Sequence, residues 1–263
     1  MNKKNLLLAF AKIAGVTLFW LAVWALVSFR VNNQLLLPTP KEVILSLGTL
    51  VRTAEFWKIT VLSLLRIVLG IIISLLLGTL LAIVTERSQI LNALLSPVLT
   101  VVKSTPVASF IILALLWLNR NTLPLYITAL IVVPIVWSNV SEGLRSVDKE
   151  LLDVTRIYRF SLLKRIKNLY VPSVTPFFMA ACKSSLGMAW KAGISAEVLS
   201  TPRYAIGTEL YFSKTYLETP TLFAWTVVII LLSVIIEKLF VLGLLSLARK
   251  WRVLPKGDSN AKT

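Results

Sequence analysis

Residues 59–84 read ITVLSLLRIVLGIIISLLLGTLLAIV, a run of 26 positions in which Arg66 is the sole charge. An α-helix rises about 1.5 Å per residue and the hydrocarbon core of a bilayer is about 30 Å thick, so roughly 20 apolar residues suffice to cross it. This stretch exceeds that length without a Pro or an acidic residue. It decides the solvent of the fold, which is lipid.

Working outward, further apolar runs fall near 13–29, 97–118, 123–140, 174–199 and 221–247. The expected fold is therefore an all-α integral membrane protein with about six transmembrane helices. The composition agrees: 57% of the 263 residues are hydrophobic, and the mean hydropathy is +0.81, far above a soluble domain. The first run follows Lys3 and Lys4 but is too long for a signal-peptide core, contains Trp20 and Trp24, and leads to no small-residue cleavage site. It reads as a retained span. In the third run Pro97, Lys103 and Pro106 make the helix irregular, so part of it is expected to lie along the interface.

The net charge of +16 would suggest nucleic acid in a soluble protein, but no base-reading or base-stacking motif accompanies it. Lys and Arg instead collect between the apolar runs. Placing both termini in the cytoplasm puts 16 basic residues in inner segments and seven in outer ones, Arg30, Lys41, Arg52, Lys58, Arg120, Arg203 and Lys214. That asymmetry is the positive-inside pattern. The absence of His removes His-based metal sites, general bases and proton relays. The one cysteine, Cys182, excludes an internal disulfide and reads as a buried thiol.

Two connecting segments carry start signals. Thr39-Pro40-Lys41-Glu42 has the form of a capping box, with Thr at N-cap, Pro at N1 and Glu at N3 of a short interfacial helix. Thr219-Pro220 is expected to open the last span. Residues 141–172 are too polar to cross and too few to fold alone, and read as two short helices. Leu151, Val154 and Tyr158 share a face of the first; Ser161 is the expected cap of the second, where Lys164, Arg165 and Lys167 alternate with Leu162, Leu163, Ile166 and Leu169. The polar end from Lys256 to Thr263 is expected to be disordered.

In this loop Asp153-Val154-Thr155, then Arg159, then Leu169-Tyr170-Val171-Pro172 keep the spacing of the conserved cytoplasmic motif of type I ABC importer permeases. The chain resembles these binding-protein-dependent membrane subunits. Asp153 replaces the family glutamate and Arg159 the family glycine. Leu37-Pro38-Thr39-Pro40, Ser63 to Gly70, Ser96 to Pro106, Ala189-Trp190, Ala196-Glu197 and the stretch from Gly207 to Glu237 resemble the sulfonate, nitrate and taurine branch. Ala205-Ile206-Gly207 stands where the branch has Gly-x-Gly.

The resemblance implies a pore built from two permease subunits, two cytosolic ATPase subunits that hold ATP and magnesium, and an extracytoplasmic binding protein. It implies that residues 153–160 (Asp153, Val154, Thr155, Arg156, Ile157, Tyr158, Arg159, Phe160) dock on the ATPase. It also divides the chain into an N-terminal helix and interfacial helix (1–57), a permease core (58–250) and a cytoplasmic tail (251–263). No cofactor is expected on this chain, and the bacterial inner membrane is its expected location.

The chemistry left in the chain is sparse. No Gly-x-x-x-x-Gly-Lys-Ser/Thr phosphate loop occurs, so a separate chain must hydrolyse ATP. Gly193-Ile194-Ser195-Ala196-Glu197 starts like a nucleophile elbow but lacks its last glycine. Charges at membrane depth cost roughly 2.5–3.5 kcal/mol on insertion scales and tend to face a pore or partner. Arg66, Lys103, Lys183, Lys191 and Glu197 meet that description, and with Ser184 and Trp190 they are the candidate translocation path. Lys183, Lys191 and Glu197 fall within about one third of a helix circumference. The excess positive charge favours an anionic solute such as a sulfonate, carboxylate or oxyanion. The rival reading has Glu197 neutralise Lys191 or Arg66 structurally. Glu237 and Lys238 are expected to pair locally or snorkel. A cofactor-precursor permease, a membrane enzyme and a passive channel are the other functions weighed.

Overall fold

A computed structural model describes residues 3–250, and among these there is helix but no strand. The expected tail from 251 onward lies outside the described residues. The helices are α1 (Lys3–Val31), α2 (Pro40–Val51), α3 (Ala54–Arg87), α4 (Gln89–Ser104), α5 (Val107–Ala114), α6 (Leu123–Arg145), α7 (Lys149–Ile157), α8 (Leu162–Arg165), α9 (Val171–Ser200), α10 (Ile206–Thr215) and α11 (Thr219–Lys250). A π-helical turn, Ile166–Tyr170, joins α8 to α9.

Four of these are long and apolar enough to cross a membrane: α1 from Ala14, α3, α6, and α11 as far as Gly243. The third expected span is not one straight helix. It divides into α4 and α5, bent by 105° at the break. The cause lies in Thr105-Pro106: Pro106 has no N–H to donate, and its ring drives Thr105 out of the α region, to ψ 135. Helix α9 has 30 residues, about 45 Å at the standard rise. Its Ser, Gly, Pro and Lys residues keep it out of the set that qualifies by apolarity.

The core is the packing of α3, α6 and α9. In α3 the buried positions Ser63, Ile67, Gly70, Ile71, Ser74, Gly78, Ala82 and Thr85 recur at three- and four-residue steps, so a helix apolar on all sides still has one inward stripe, and its residues are mostly small. Lipid tails are as apolar as Leu, so association in a membrane depends on close van der Waals contact. Gly70 and Gly78 supply it. A Cβ on Gly78 would lie 2.7 Å from Val136 Cβ, and one on Gly70 would lie 2.9 Å from the Leu125 carbonyl oxygen of α6. Val132, Val136 and Val140 fill the facing side of α6.

Helix α1 is anchored near its C-terminal end. Trp24 Nε1 donates to the Pro38 carbonyl (3.1 Å), Ser28 Oγ donates to that of Leu37 (2.9 Å), and the Trp24 ring stacks on Phe223. The capping box of α2 forms as expected: Thr39 Oγ1 accepts from the Glu42 N–H, and Glu42 Oε2 accepts from the Thr39 N–H. Helix α11 begins at Thr219, whose hydroxyl donates to the Leu35 carbonyl.

The predicted pair of short helices between residues 141 and 172 is shorter than expected at both ends. Helix α6 runs on to Arg145, held by an ion pair with Glu86 at 2.7 Å. Past Ser161, which caps α8 through the Lys164 N–H, the chain is helical without interruption to Ser200. Pro172 does not end this rod, because it directly follows the π-helical turn, whose widened ladder (the Val171 N–H donates to the Ile166 carbonyl) accommodates the proline's missing donor.

Candidate functional site

Three groups of residues carry chemistry, one at each end of the bundle and one along α9. At the first end, Asp148 caps α7 by accepting from the Glu150 N–H. The helix ends in a Schellman motif: the Arg159 N–H donates to the Arg156 carbonyl, and the Phe160 N–H to that of Thr155. That motif demands a left-handed residue at the position after the cap. Arg159 has φ 48, the conformation for which glycine is normally selected. The turn therefore forms despite the substitution. Arg156 pairs with Asp153 at 2.9 Å on the exposed surface, and Lys164 lies over the Phe160 ring.

This end presents an apolar surface ringed by cations. Leu151, Val154, Ile157, Tyr158, Leu162 and Leu163 are exposed, Ile157 by 77% and Leu163 by 80%. Among residues 153–160, Thr155 is the buried one. Such a patch with Arg156, Arg159 and Lys164 at its margins has the make-up of a docking surface for an acidic-rimmed apolar groove.

At the opposite end Glu197 is completely buried. Its Oε2 accepts from Ser63 Oγ (2.9 Å) and from the Gly207 N–H (3.1 Å), while its Oε1 stands 3.6 Å from Arg66 Nη1. Ser63 Oγ in turn accepts from the Ile206 N–H. Arg66 donates to the carbonyls of Arg203 (2.7 Å) and Tyr204 (3.0 Å). Three side chains and four backbone groups thus fasten the strained segment 201–206, in which Thr201 and Tyr204 have φ 46 and 52, to α3 and α9. Gly207 is required by close approach: a Cβ there would come within 2.5 Å of the Val198 nitrogen.

Outside this node, Arg203 Nη2 donates to the Tyr204 hydroxyl and Lys58 lies 3.7 Å above its ring. Hydrogen bonding to Arg203 first, then to Lys58, holds the exposed phenol below its ordinary pKa. On α10 Glu209 is half-buried, and burial, with the charges of Glu55 and Glu218, raises its carboxyl pKa.

Along α9, Ala180, Lys183, Ser184, Gly187, Met188, Lys191, Ser195 and Leu199 are exposed, at the spacing of one helix face. The expected grouping of Lys183, Lys191 and Glu197 therefore divides. The two lysines and Ser184 are on the exposed face, whereas Glu197 turns inward to Ser63 and Arg66. Trp190 also turns inward, 4% exposed, against the core. Lys103 is exposed on α4. Cys182 is buried, as expected.

Glu237 and Lys238 make no ion pair with each other; both are exposed. Adjacent helical residues project about 100° apart and do not face each other. The sequence reading passed over Ser63 and Gly207. Their signal was the helical spacing of Ser63 to Arg66, and a glycine ten residues beyond a buried glutamate.

Residues 70–242 match the family described as the binding-protein-dependent transport system inner membrane component. The chain is 24% identical over 210 residues to the putative aliphatic sulfonates transport permease protein SsuC of Bacillus subtilis, covering 79% of this chain and 76% of that one. It is 27% identical over 215 residues to the bicarbonate transport system permease protein CmpB of Synechococcus elongatus, covering 74% and 73%. It is also 27% identical over 138 residues to the nitrate import permease protein NrtB of the same organism, covering 52% and 50%. The resemblance read from the loop motif is borne out. The chain belongs to the binding-protein-dependent transport system inner membrane components, and is a multi-pass inner membrane subunit of an ABC importer, a transporter component rather than an enzyme, working with an ATPase and a binding protein.

Proposed function

We propose that this subunit forms the translocation path for a small anionic solute of the sulfonate, nitrate or bicarbonate kind. The observation that carries the reading is the exposed face of α9. Lys183 and Lys191, with Ser184 and Ser195 and small neighbours, form a cationic and hydrogen-bonding stripe on a helix of spanning length. Charge at that depth is retained where it faces water, a partner or a solute. The relatives named for sulfonates, bicarbonate and nitrate share an anionic substrate.

In this reading the α7 end is cytoplasmic and residues 153–160 enter a groove of the ATPase, which carries ATP and magnesium. The α10 end is extracytoplasmic and receives the binding protein. Six crossings, counting the bent α4 and α5 as one and α9 as another, leave both termini inside. Two copies of the chain pair across the exposed α9 faces. Residues 1–57 form a peripheral anchor and 58–250 the permease core.

Arg66 and Glu197 support the path rather than line it, because each is engaged by the node. The test is Lys191→Met in the assembled transporter. Uptake of an anion should fall at least tenfold while the variant still assembles with its ATPase. Unchanged uptake removes α9 from the path.

A further inference from the structure

The structure holds a second cationic feature, at the outer end of the α9 stripe. A cleft of about 340 Å³ is lined by Leu115, Arg120, Val198, Leu199, Thr201 and Tyr211. Among the described residues no carboxylate or carbonyl pairs with the Arg120 guanidinium, in contrast to Arg66, Arg145 and Arg156. The backbone turn that carries the exposed Arg120 is nevertheless fixed. Asn119 Oδ1 accepts from the Asn121 N–H (2.8 Å), the Asn119 carbonyl accepts from the Thr122 and Leu123 N–H groups, and Asn121 Oδ1 accepts from the Arg203 N–H (2.9 Å). The turn carrying Arg120 is thereby tied to the segment that Glu197 and Arg66 fix.

From these observations we infer that Arg120, with the hydroxyls of Thr201 and Tyr211, forms an outer oxyanion site through which the solute enters the path. The inference rests on the reading of an anionic solute. A guanidinium offers a planar fork of donors matched to two oxygens of a sulfonate, carboxylate, nitrate or bicarbonate group, and the hydroxyls can serve a third. Leu199 and Val198 lie one and two turns from Ser195 and Lys191 on α9, so the site continues into the lysine stripe. Cations succeed one another from Arg120 to Lys191 to Lys183, the last two about 12 Å apart along the helix. Phosphate oxygens of a lipid headgroup have the same chemistry as the solute, and the test separates the two.

Leu199→Cys places a thiol in the cleft of the full transporter in phosphatidylcholine nanodiscs. Cys182 is buried, so the new thiol is the one that labels, with Cys182→Ala as a control. The rates of modification by an anionic sulfonatoethyl and a cationic trimethylammonioethyl methanethiosulfonate are compared. With Arg120 present the anionic reagent should be favoured, and Arg120→Gln should lower the ratio about tenfold, as a unit charge a few ångströms away at intermediate dielectric dictates. Millimolar methanesulfonate, nitrate or bicarbonate should slow labelling when Arg120 is present and not when it is Gln. A ratio indifferent to Arg120→Gln overturns the site, as does a sensitive ratio with protection by none of the three anions. Protection by added phosphatidylglycerol alone also overturns it, because the cleft then holds lipid. None of these readings requires transport, so they stand or fall separately from the uptake measurements.

Discussion

Arg159 shows how much a single residue can depart from its expected role without disturbing the turn. An L-residue at φ 48 costs roughly 1 kcal/mol against glycine, and the two Schellman hydrogen bonds and the Lys164 to Phe160 contact offset it. Arg159→Gly should therefore fold normally, with the melting temperature unchanged or up by a few degrees. Arg159→Val, whose branched Cβ tolerates this φ poorly, should lower ATPase stimulation by the loaded binding protein severalfold. Glu197 is the opposite case. Glu197→Ala leaves the Arg66 guanidinium, the Ser63 hydroxyl and the Gly207 N–H without their shared acceptor, a loss of about 3–5 kcal/mol, visible as a large fall in thermal stability in detergent. Glu209 titrates on the exposed end, where burial and two neighbouring carboxylates raise its pKa above the unfolded value. Ionisation thus opposes folding. Glu209→Gln should raise the melting temperature at pH 7 and lose that advantage once the pH falls below the unfolded carboxylate pKa, at which the native carboxyl is already protonated.

At the scale of elements, what the sequence disclosed depended on whether the signal was local. The capping box at Thr39 and the Ser161 cap rest on contacts within one turn, the Thr219 start on the proline that follows it, and each appears where the residues indicate. The break at Pro106 was legible for the same reason, since the ring acts on its immediate neighbour. The inward turn of Glu197 was legible only as the rival reading, its pairing with Arg66, which the structure shows at 3.6 Å; its partners Ser63 and Gly207 are brought to it by the packing of α3 and α10 against α9. Helical phase placed Glu197 near the lysines, but the neighbouring helices determined which of the three is covered. The uninterrupted rod from Leu162 to Ser200 was less legible, because Pro172 and Pro176 fall within it. That rod joins the exposed loop at one end to the Glu197 node at the other. The proposed docking of residues 153–160 makes its own prediction. Replacing Ile157 and Tyr158 together by Asp should reduce co-purification of the ATPase at least tenfold, with the permease still monodisperse. Undiminished co-purification places the docking surface elsewhere.

For the whole molecule, composition and run length already established a membrane protein of several helices, and the loop spacing pointed to the family that residues 70–242 match. Orientation and the solute depend on things outside one chain: the bilayer, the second copy and the binding protein. Cysteines placed at Ser161 and Thr215 should react with an impermeant maleimide from opposite faces of sealed vesicles, Thr215 from the outside. Reaction of both from one face contradicts six crossings. The central claim is tested most directly by reconstituting the permease with its ATPase and binding protein in proteoliposomes and following labelled methanesulfonate, nitrate and bicarbonate. The account predicts accumulation of one of these anions against its gradient, dependent on ATP, the ATPase and the binding protein, and reduced at least tenfold by Lys191→Met. Accumulation of a neutral solute such as a pyrimidine instead, or anion flux that persists without the ATPase, would contradict it.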